Sequence, residues 1–209
     1  FETVMTAIPL YPDIAPFSAI PTQYSVRKCS GVGRDLEHFE FLADPSRDCR
    51  KEFAENLIRT VGDGGSILTY GTLEKTILSG LSNVFPSLSG EINSLIERMI
   101  NLESIVGANF YHPDFHGSAS LKVVLPVLVP ELSYDSLEIK DGDSAMAAFA
   151  YLALGRYKGE KAEEVKKNLK AYCAQDTLAL RKLHQRLTQS CGSKFEQRER
   201  YHQVSLEKF

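Results

Sequence analysis

A change in hydrophobic period along the chain constrains the fold more strongly than any other feature. Before residue 44, apolar and polar residues alternate, with Tyr24 and Val26 in PTQYSVRKCSG and Phe39 and Phe41 in LEHFEFLA. A period of two is typical of strands. Together with the apolar opening FETVMTAIPL, these segments predict three strands in an antiparallel meander, the last two joined through Gly31-Val32-Gly33.

After this point the period becomes helical. Asp44 is a suitable N-cap and Pro45 a suitable first helical residue, so we expect a helix to begin there. The apolar residues Phe53, Leu57 and Val61 recur at helical spacing and predict its buried face.

One more strand is predicted among the helices. SILTYG is short and nearly continuously apolar, as expected of a strand buried on both faces. Helical patterns follow in LEKTILSGLSNVF, SGEINSLIERMINL, LKVVLPVL, DSAMAAFAYLALG and residues 161–189. This order predicts an α/β fold in which helices flank one mixed sheet, the meander being extended by a parallel strand.

Charge and composition narrow the functional classes. The formal net charge is -3, so attraction to nucleic acid would need a local basic patch or bound metal ions. No segment approaches the roughly 20 apolar residues of a membrane span, and we predict a cytoplasmic protein without a membrane partner. The four cysteines form no CxxC pair, which argues against a zinc site and favours reduced thiols.

Three acidic residues occupy positions that suit a metal site. Glu2 lies on the first predicted strand, Glu74 follows SILTYG at a helix start, and Asp176 lies one helical turn after Tyr172. Carboxylates from separate elements can bind Mg²⁺ or Mn²⁺. Each also has an ordinary interpretation: Glu2 as a solvated residue, Glu74 as a helix-dipole partner, and Tyr172 with Asp176 as a hydrogen-bonded pair.

A loop rich in Pro, His, Gly and Ser offers further candidates. His112 and His116 flank Asp114 and have the look of a metal site, but Pro113 argues against a regular helix that would bring the histidines together. A packed surface loop is the preferred interpretation.

The phrases FET, AIPLYP, LADPSRD, ILTYGTLEK, FYHPDFHGSASLKVVLP, LSYDSLEI and AYCAQDT together resemble an uncharacterised bacterial family. That family is similar to the RNase H-like fold of the DEDD 3′–5′ exonucleases, in the version with a tyrosine in the third motif. The resemblance covers about residues 1–187, and it implies an RNase H-like domain over residues 1–190 with a truncated first strand and a C-terminal extension over residues 191–209.

The resemblance also assigns roles to the acidic residues. Glu2 matches the second acid of the Asp-x-Glu motif, whose aspartate we expect immediately before Phe1. Glu74 takes the place of an acid that is usually Asp, and Tyr172 and Asp176 match the third motif. Asn101 stands where relatives carry Asp, and we expect it to support the structure near the site.

The implied activity is that of a hydrolase, a 3′–5′ exonuclease acting on a single-stranded 3′ end of DNA or RNA. Glu2, Glu74 and Asp176 would bind two Mg²⁺ or Mn²⁺ ions, and Tyr172 would position the attacking water. Lys122 and Ser118 would contact the substrate. An upstream nuclease-like region of the same polypeptide is a further expected partner.

Two alternatives stay open from the sequence. One is a nucleic-acid-binding or scaffold module of the same fold with weakened catalysis, which Asn101 and Glu74 would favour. The other is a metal-dependent phosphohydrolase acting on nucleotides.

Overall fold

The computed structural model describes the backbone of residues 1–31 and 34–206 and the side chains of residues 1–29 and 37–190. The expected Val32-Gly33 link and the side chains of the C-terminal extension lie outside the described residues. The strands are β1 (Glu2–Val4), β2 (Ile20–Gly31), β3 (Arg34–Leu42), β4 (Ile67–Thr69) and β5 (Met99–Asn101). The helices are α1 (Arg50–Val61), α2 (Leu73–Val84), α3 (Ser89–Glu97), α4 (Leu102–Asn109), α5 (Leu121–Leu128), α6 (Gly142–Ala153) and α7 (Gly159–Leu206). The predicted α/β class is confirmed.

The antiparallel meander is present. Its strand order is β1-β2-β3, and Tyr24 faces Phe41 across the second pair of strands. This register confirms the period of two in both segments. The first strand is shorter than FETVMTAIPL predicts, since it ends at Val4 and the chain then turns through a loop to Ile20.

The predicted single mixed sheet is wrong. In the part of the chain that the structure describes, β4 pairs in parallel with β5 and forms a separate two-stranded sheet. The segment of β5 was expected to continue the preceding helix. Instead α3 ends at Glu97, where the Arg98 guanidinium donates to the carbonyl oxygen of Gly64 at 2.6 Å and the Arg98 carbonyl accepts from the amide of Ile67 at 2.9 Å. These long-range contacts override the helical pattern.

The predicted start of the first helix is also wrong. The helix begins at Arg50 with Cys49 at the N-cap. Asp44 instead accepts hydrogen bonds from the Ser46 amide at 2.9 Å and the Ser46 hydroxyl at 2.7 Å, and so forms a turn. Such local side-chain bonds compete with helix formation, which explains the later start. The predicted buried face is confirmed for Phe53 and Leu57.

β2 lies between two layers of helices. On one face the Tyr24 ring packs against Phe53 of α1, with ring centroids 5.4 Å apart. On the other face Gln23 Nε2 donates to the Leu169 carbonyl at 3.2 Å, and the hydroxyls of Ser25 and Thr177 share a hydrogen bond at 2.7 Å. The alternation of β2 therefore fixes α7 across the sheet and brings the middle of α7 near β1.

Within the described residues, no helix combines the length and the apolar character that a membrane crossing requires.

Candidate functional site

Glu2 is held by the antiparallel sheet. It pairs with Gln23 of β2, and its carbonyl oxygen accepts a hydrogen bond from the Thr22 hydroxyl at 3.2 Å. Its side chain reaches the start of α6, because a Cβ added at Gly142 would lie 3.7 Å from Glu2 Oε2. The sheet thus presents this carboxylate toward α6 from a rigid strand.

Glu74 is positioned by the turn between β4 and α2. Gly71 has a φ of 95°, a backbone conformation that favours glycine, and its amide donates to Asn101 Oδ1 at 3.0 Å. The same Asn101 oxygen accepts from the Glu103 amide at 3.0 Å and caps α4. Asn101 therefore ties together the two turns that follow the parallel strands, in agreement with the structural role expected for it.

Asp176 lies on α7 and is partly buried. Its Oδ1 accepts a hydrogen bond of 2.6 Å from the hydroxyl of Tyr134, which lies in the segment between α5 and α6. The sequence interpretation considered Tyr172 as the hydroxyl partner of this carboxylate and overlooked Tyr134. Tyr134 is 42 positions away along the chain, and only the folded structure brings the two together.

The three carboxylates influence one another electrostatically. Burial raises the pKa of Glu2 to about 7, and the charges of Asp176 and Glu74 add to this increase. Burial likewise raises the pKa of Asp176, with a further contribution from Glu74. Residues from β1, α2 and α7, far apart in sequence, therefore share one partly buried site.

Two cations oppose this repulsion. The Phe1 ammonium and Lys122 both lower the pKa of Glu2 and of Asp176, although burial and the neighbouring acids outweigh them. Burial alone would lower the pKa of the Phe1 ammonium, but Glu74, Cys173 and Glu2 raise it to about 10. The predicted substrate residue Lys122 is exposed and faces the acidic site from the first turn of α5.

Glu74 has one occupied and one unoccupied oxygen. Its Oε1 lies 3.2 Å from the Phe1 nitrogen, which donates to it. Its Oε2 is buried and has no hydrogen-bond partner. A buried carboxylate oxygen without a partner is costly, so this atom is a candidate ligand for a cation.

The remaining predicted residues are distributed around this centre. Tyr172 is buried, and its ring centroid lies 6.1 Å from that of Tyr134. Burial raises the pKa of the Tyr172 hydroxyl, and Asp176 and Glu2 raise it further, so the hydroxyl stays protonated near neutral pH. Ser118 Oγ accepts from the Ser120 amide at 3.2 Å in the turn before α5, and the structure places this hydroxyl in the turn.

The donor chemistry of the site fits a hard divalent cation, because such ions prefer carboxylate oxygens. The spacing does not yet form a complete cage. Among residues whose side chains are described, no group of three or more His, Cys, Asp or Glu residues is placed so that it could hold a metal ion. Binding of Mg²⁺ or Mn²⁺ by Glu2, Glu74 and Asp176 therefore stays a prediction.

The histidine loop forms local contacts. His112 Nδ1 accepts from the Asp114 amide at 3.3 Å, and the His112 ring lies 5.7 Å from that of Phe115. This arrangement favours the packed loop that the sequence analysis preferred. The cysteines Cys49 and Cys173 are buried free thiols, and Cys191 lies outside the described side chains.

A family model described as a domain of unknown function (DUF2779) matches residues 1–120. No curated protein and no solved structure matches the chain. The predicted uncharacterised family is thereby confirmed.

Proposed function

Since the chain belongs to the family described as a domain of unknown function (DUF2779), whose description assigns no activity, we propose a function from its geometry. The protein is a metal-dependent nuclease with an RNase H-like fold, acting as a 3′–5′ exonuclease on single-stranded DNA or RNA. One observation carries this proposal: Glu2, Glu74 and Asp176 meet in one partly buried site, where their charges reinforce one another.

A purely structural role accounts poorly for this arrangement. Bringing like charges together away from water costs free energy unless a cation compensates. Asp176 is hydrogen-bonded to Tyr134, but Glu74 Oε2 is buried without a partner. A site that stores repulsion of this kind gains stability when a divalent cation binds, and carboxylates gathered this way are common at functional sites.

The position of Phe1 supports a further ligand. The Phe1 nitrogen lies 3.2 Å from Glu74 Oε1, so a residue joined to this nitrogen would enter the acidic site directly. An aspartate there would form the Asp-x-Glu pattern with Glu2 and supply a fourth carboxylate. That addition would complete a ligand set for two metal ions.

The residues of this chain would divide the catalytic work. Glu2, Glu74 and Asp176 would hold two Mg²⁺ or Mn²⁺ ions, which supply a hydroxide at neutral pH and neutralise charge on the phosphate. The protonated Tyr172 hydroxyl would orient the attacking water by a hydrogen bond, but it would not remove the proton.

The basic residue at the site would bind the substrate. Lys122 is exposed and faces Glu2 and Asp176, so its ammonium would bind a phosphate of the nucleic acid next to the cleavage site. The Ser118 hydroxyl, four residues earlier, would donate a hydrogen bond to a neighbouring phosphate oxygen. These contacts would hold a single strand without reading its sequence.

The arrangement of elements also supports the RNase H-like fold. An antiparallel meander comes first, and a parallel strand pair and helices follow it. The first acid lies on the meander, the second follows a parallel strand, and the third lies on the long last helix, in the order that the exonuclease resemblance implies.

A second candidate is a nucleic-acid-binding or scaffold module without catalytic activity. The observation that favours it is the incomplete ligand cage among the described side chains. In that case Lys122 would still bind nucleic acid, but divalent cations would have no effect on the substrate.

The test is cleavage of labelled single-stranded DNA and RNA by the 209-residue chain and by a chain with an aspartate joined before Phe1, each with Mn²⁺. We expect stepwise shortening of 5′-labelled strands and early release of 3′-end label, with the extended chain faster. Asp176→Asn prepared identically is the control for contaminating nucleases. The exonuclease proposal is wrong if both chains leave both substrates intact, and the scaffold module is then favoured if they still bind the strands.

A further inference from the structure

We propose that Tyr134 is a positioning residue that orients the Asp176 carboxylate for metal binding. The inference rests on the proposed metal-dependent function and deepens it by adding a residue that the sequence motifs do not include. Tyr134 acts through Asp176, since its hydroxyl donates to Oδ1 at 2.6 Å. This hydrogen bond leaves Oδ2 as the oxygen free to bind a cation.

The Tyr134 ring is held by apolar packing. It packs against two groups of buried side chains, one containing Leu169 and Tyr172 and the other containing Val129 and Ala179. Its centroid lies 6.1 Å from that of Tyr172. A ring fixed on several sides loses little further freedom when its hydroxyl bonds to Asp176, so the hydroxyl is preorganised.

The backbone around Tyr134 is held as well. Gln175 Nε2 donates to the Ser133 carbonyl at 2.8 Å, which ties this segment to α7 beside Asp176. The Tyr134 carbonyl accepts from the Leu137 amide at 3.0 Å and closes a turn. Neighbouring residues of α7, Gln175 and Asp176, therefore each bond to neighbouring residues of one loop.

This arrangement has a specific consequence for metal binding. A carboxylate on a helix can rotate about its side-chain bonds and present either oxygen. A directed donor on one oxygen selects one orientation, and loss of such an outer partner commonly weakens metal binding by about 10- to 100-fold. Tyr134 would set the orientation of Asp176 before a cation arrives.

The test compares Tyr134→Phe with Tyr11→Phe in the full chain. The Tyr11 hydroxyl donates to the Pro45 carbonyl at 3.1 Å, so Tyr11→Phe also removes one hydroxyl hydrogen bond, but far from the acids. Mn²⁺ binding is measured by electron paramagnetic resonance of the free ion, and thermal unfolding reports folding of each variant.

We expect Tyr134→Phe to weaken Mn²⁺ binding by about 10-fold or more, while Tyr11→Phe binds like the wild type. Equal Mn²⁺ affinity of Tyr134→Phe and the wild type overturns the inference, as does a wild type that binds no Mn²⁺. A parallel loss in Tyr11→Phe also overturns it, because general loosening would then explain the effect.

The outcomes separate this inference from the proposed nuclease activity. If the wild type binds Mn²⁺ and Tyr134→Phe weakens binding, Tyr134 positions Asp176 even when no strand is cleaved. If the wild type cleaves strands while Tyr134→Phe keeps full Mn²⁺ affinity, the nuclease proposal stands and the role of Tyr134 is wrong.

Discussion

Two groups of acidic residues in this molecule behave in opposite ways. Asp44 and Asp141 lie in turns and accept hydrogen bonds from Ser46 and Ser144, and these bonds lower their pKa values. Glu2 and Asp176 lie in the acidic site, and burial raises their pKa values. The same chemical group is therefore stabilised as an anion in one region and disfavoured as an anion in the other.

The difference separates structural acids from candidate functional ones. The local hydrogen bonds of Asp44 and Asp141 account for both residues, since each one closes a turn or caps a helix. No comparable benefit to the fold follows from Glu2, whose negative charge is opposed by its neighbours. A bound divalent cation would reverse that penalty, and the predictions below test this contrast.

The largest effect is expected from Asp176→Asn. It removes a proposed metal ligand, and loss of even an outer partner of a metal ligand commonly costs about 10- to 100-fold. We therefore expect nuclease activity to fall by more than about 100-fold. Asp44→Asn is the matched control, because it changes an acid that is already accounted for. Similar activity in the two variants would remove the distinction between the groups.

Lys122→Gln should have the next largest effect. Lys122 is the side-chain cation that faces Glu2 and Asp176. We expect KM for a single strand to rise by about 10-fold and the slope of log affinity against log salt to fall by about 1. Lys51→Gln, whose lysine pairs with Glu55 at 3.8 Å, is the control. An unchanged salt slope would show that Lys122 does not contact phosphate.

Glu2→Gln is expected to stabilise the metal-free fold. The pKa of Glu2 rises from 4.5 to about 7 on folding, so the folded state binds the proton more tightly. Stability is therefore lost as the pH rises from about 4.5 to about 7, and the substitution removes this loss. Urea unfolding near pH 8 without metal should show a gain on the order of 2 kcal/mol, which disappears near pH 4.5. A loss of stability near pH 8 would contradict the prediction.

Asp44→Asn should give the smallest effect and the opposite sign. Local hydrogen bonds lower the pKa of Asp44, so its contribution is present above the ordinary carboxyl pKa and is lost as the pH falls through the lowered value. Because this side chain is exposed and screened, we expect a loss of about 0.5 kcal/mol or less near pH 7. Thermal unfolding of this variant beside Glu2→Gln checks the sign, and a gain near pH 7 would contradict it.

Local patterns predicted the features that local physics determines. The alternation around Tyr24 and Phe41 predicted the pairing of β2 with β3, because side chains of opposed strands share one buried face. The apolar spacing of Phe53 and Leu57 predicted the buried side of α1. The acids Glu2, Glu74 and Asp176 were identified from their positions and the family resemblance.

Contacts between distant segments were not accessible in the same way. Residues 99–101 resemble a continuing helix, and only the bonds between Arg98 and the turn after α1 convert them into β5. The bond between Tyr134 and Asp176 likewise depends on how the loop after α5 docks on α7. A tyrosine in a polar segment carries no local signal of its partner, so its role emerges only from the fold.

The central claim is that Glu2, Glu74 and Asp176 together bind divalent cations. Calorimetric titration of Mn²⁺ into the 209-residue chain and into Glu2→Gln, Glu74→Gln and Asp176→Asn tests it most directly. The account predicts binding by the wild type and a loss of about 10-fold or more in affinity for each substitution, with Asp44→Asn unchanged. Absence of Mn²⁺ binding by the wild type, or equal affinity in all variants, would contradict it.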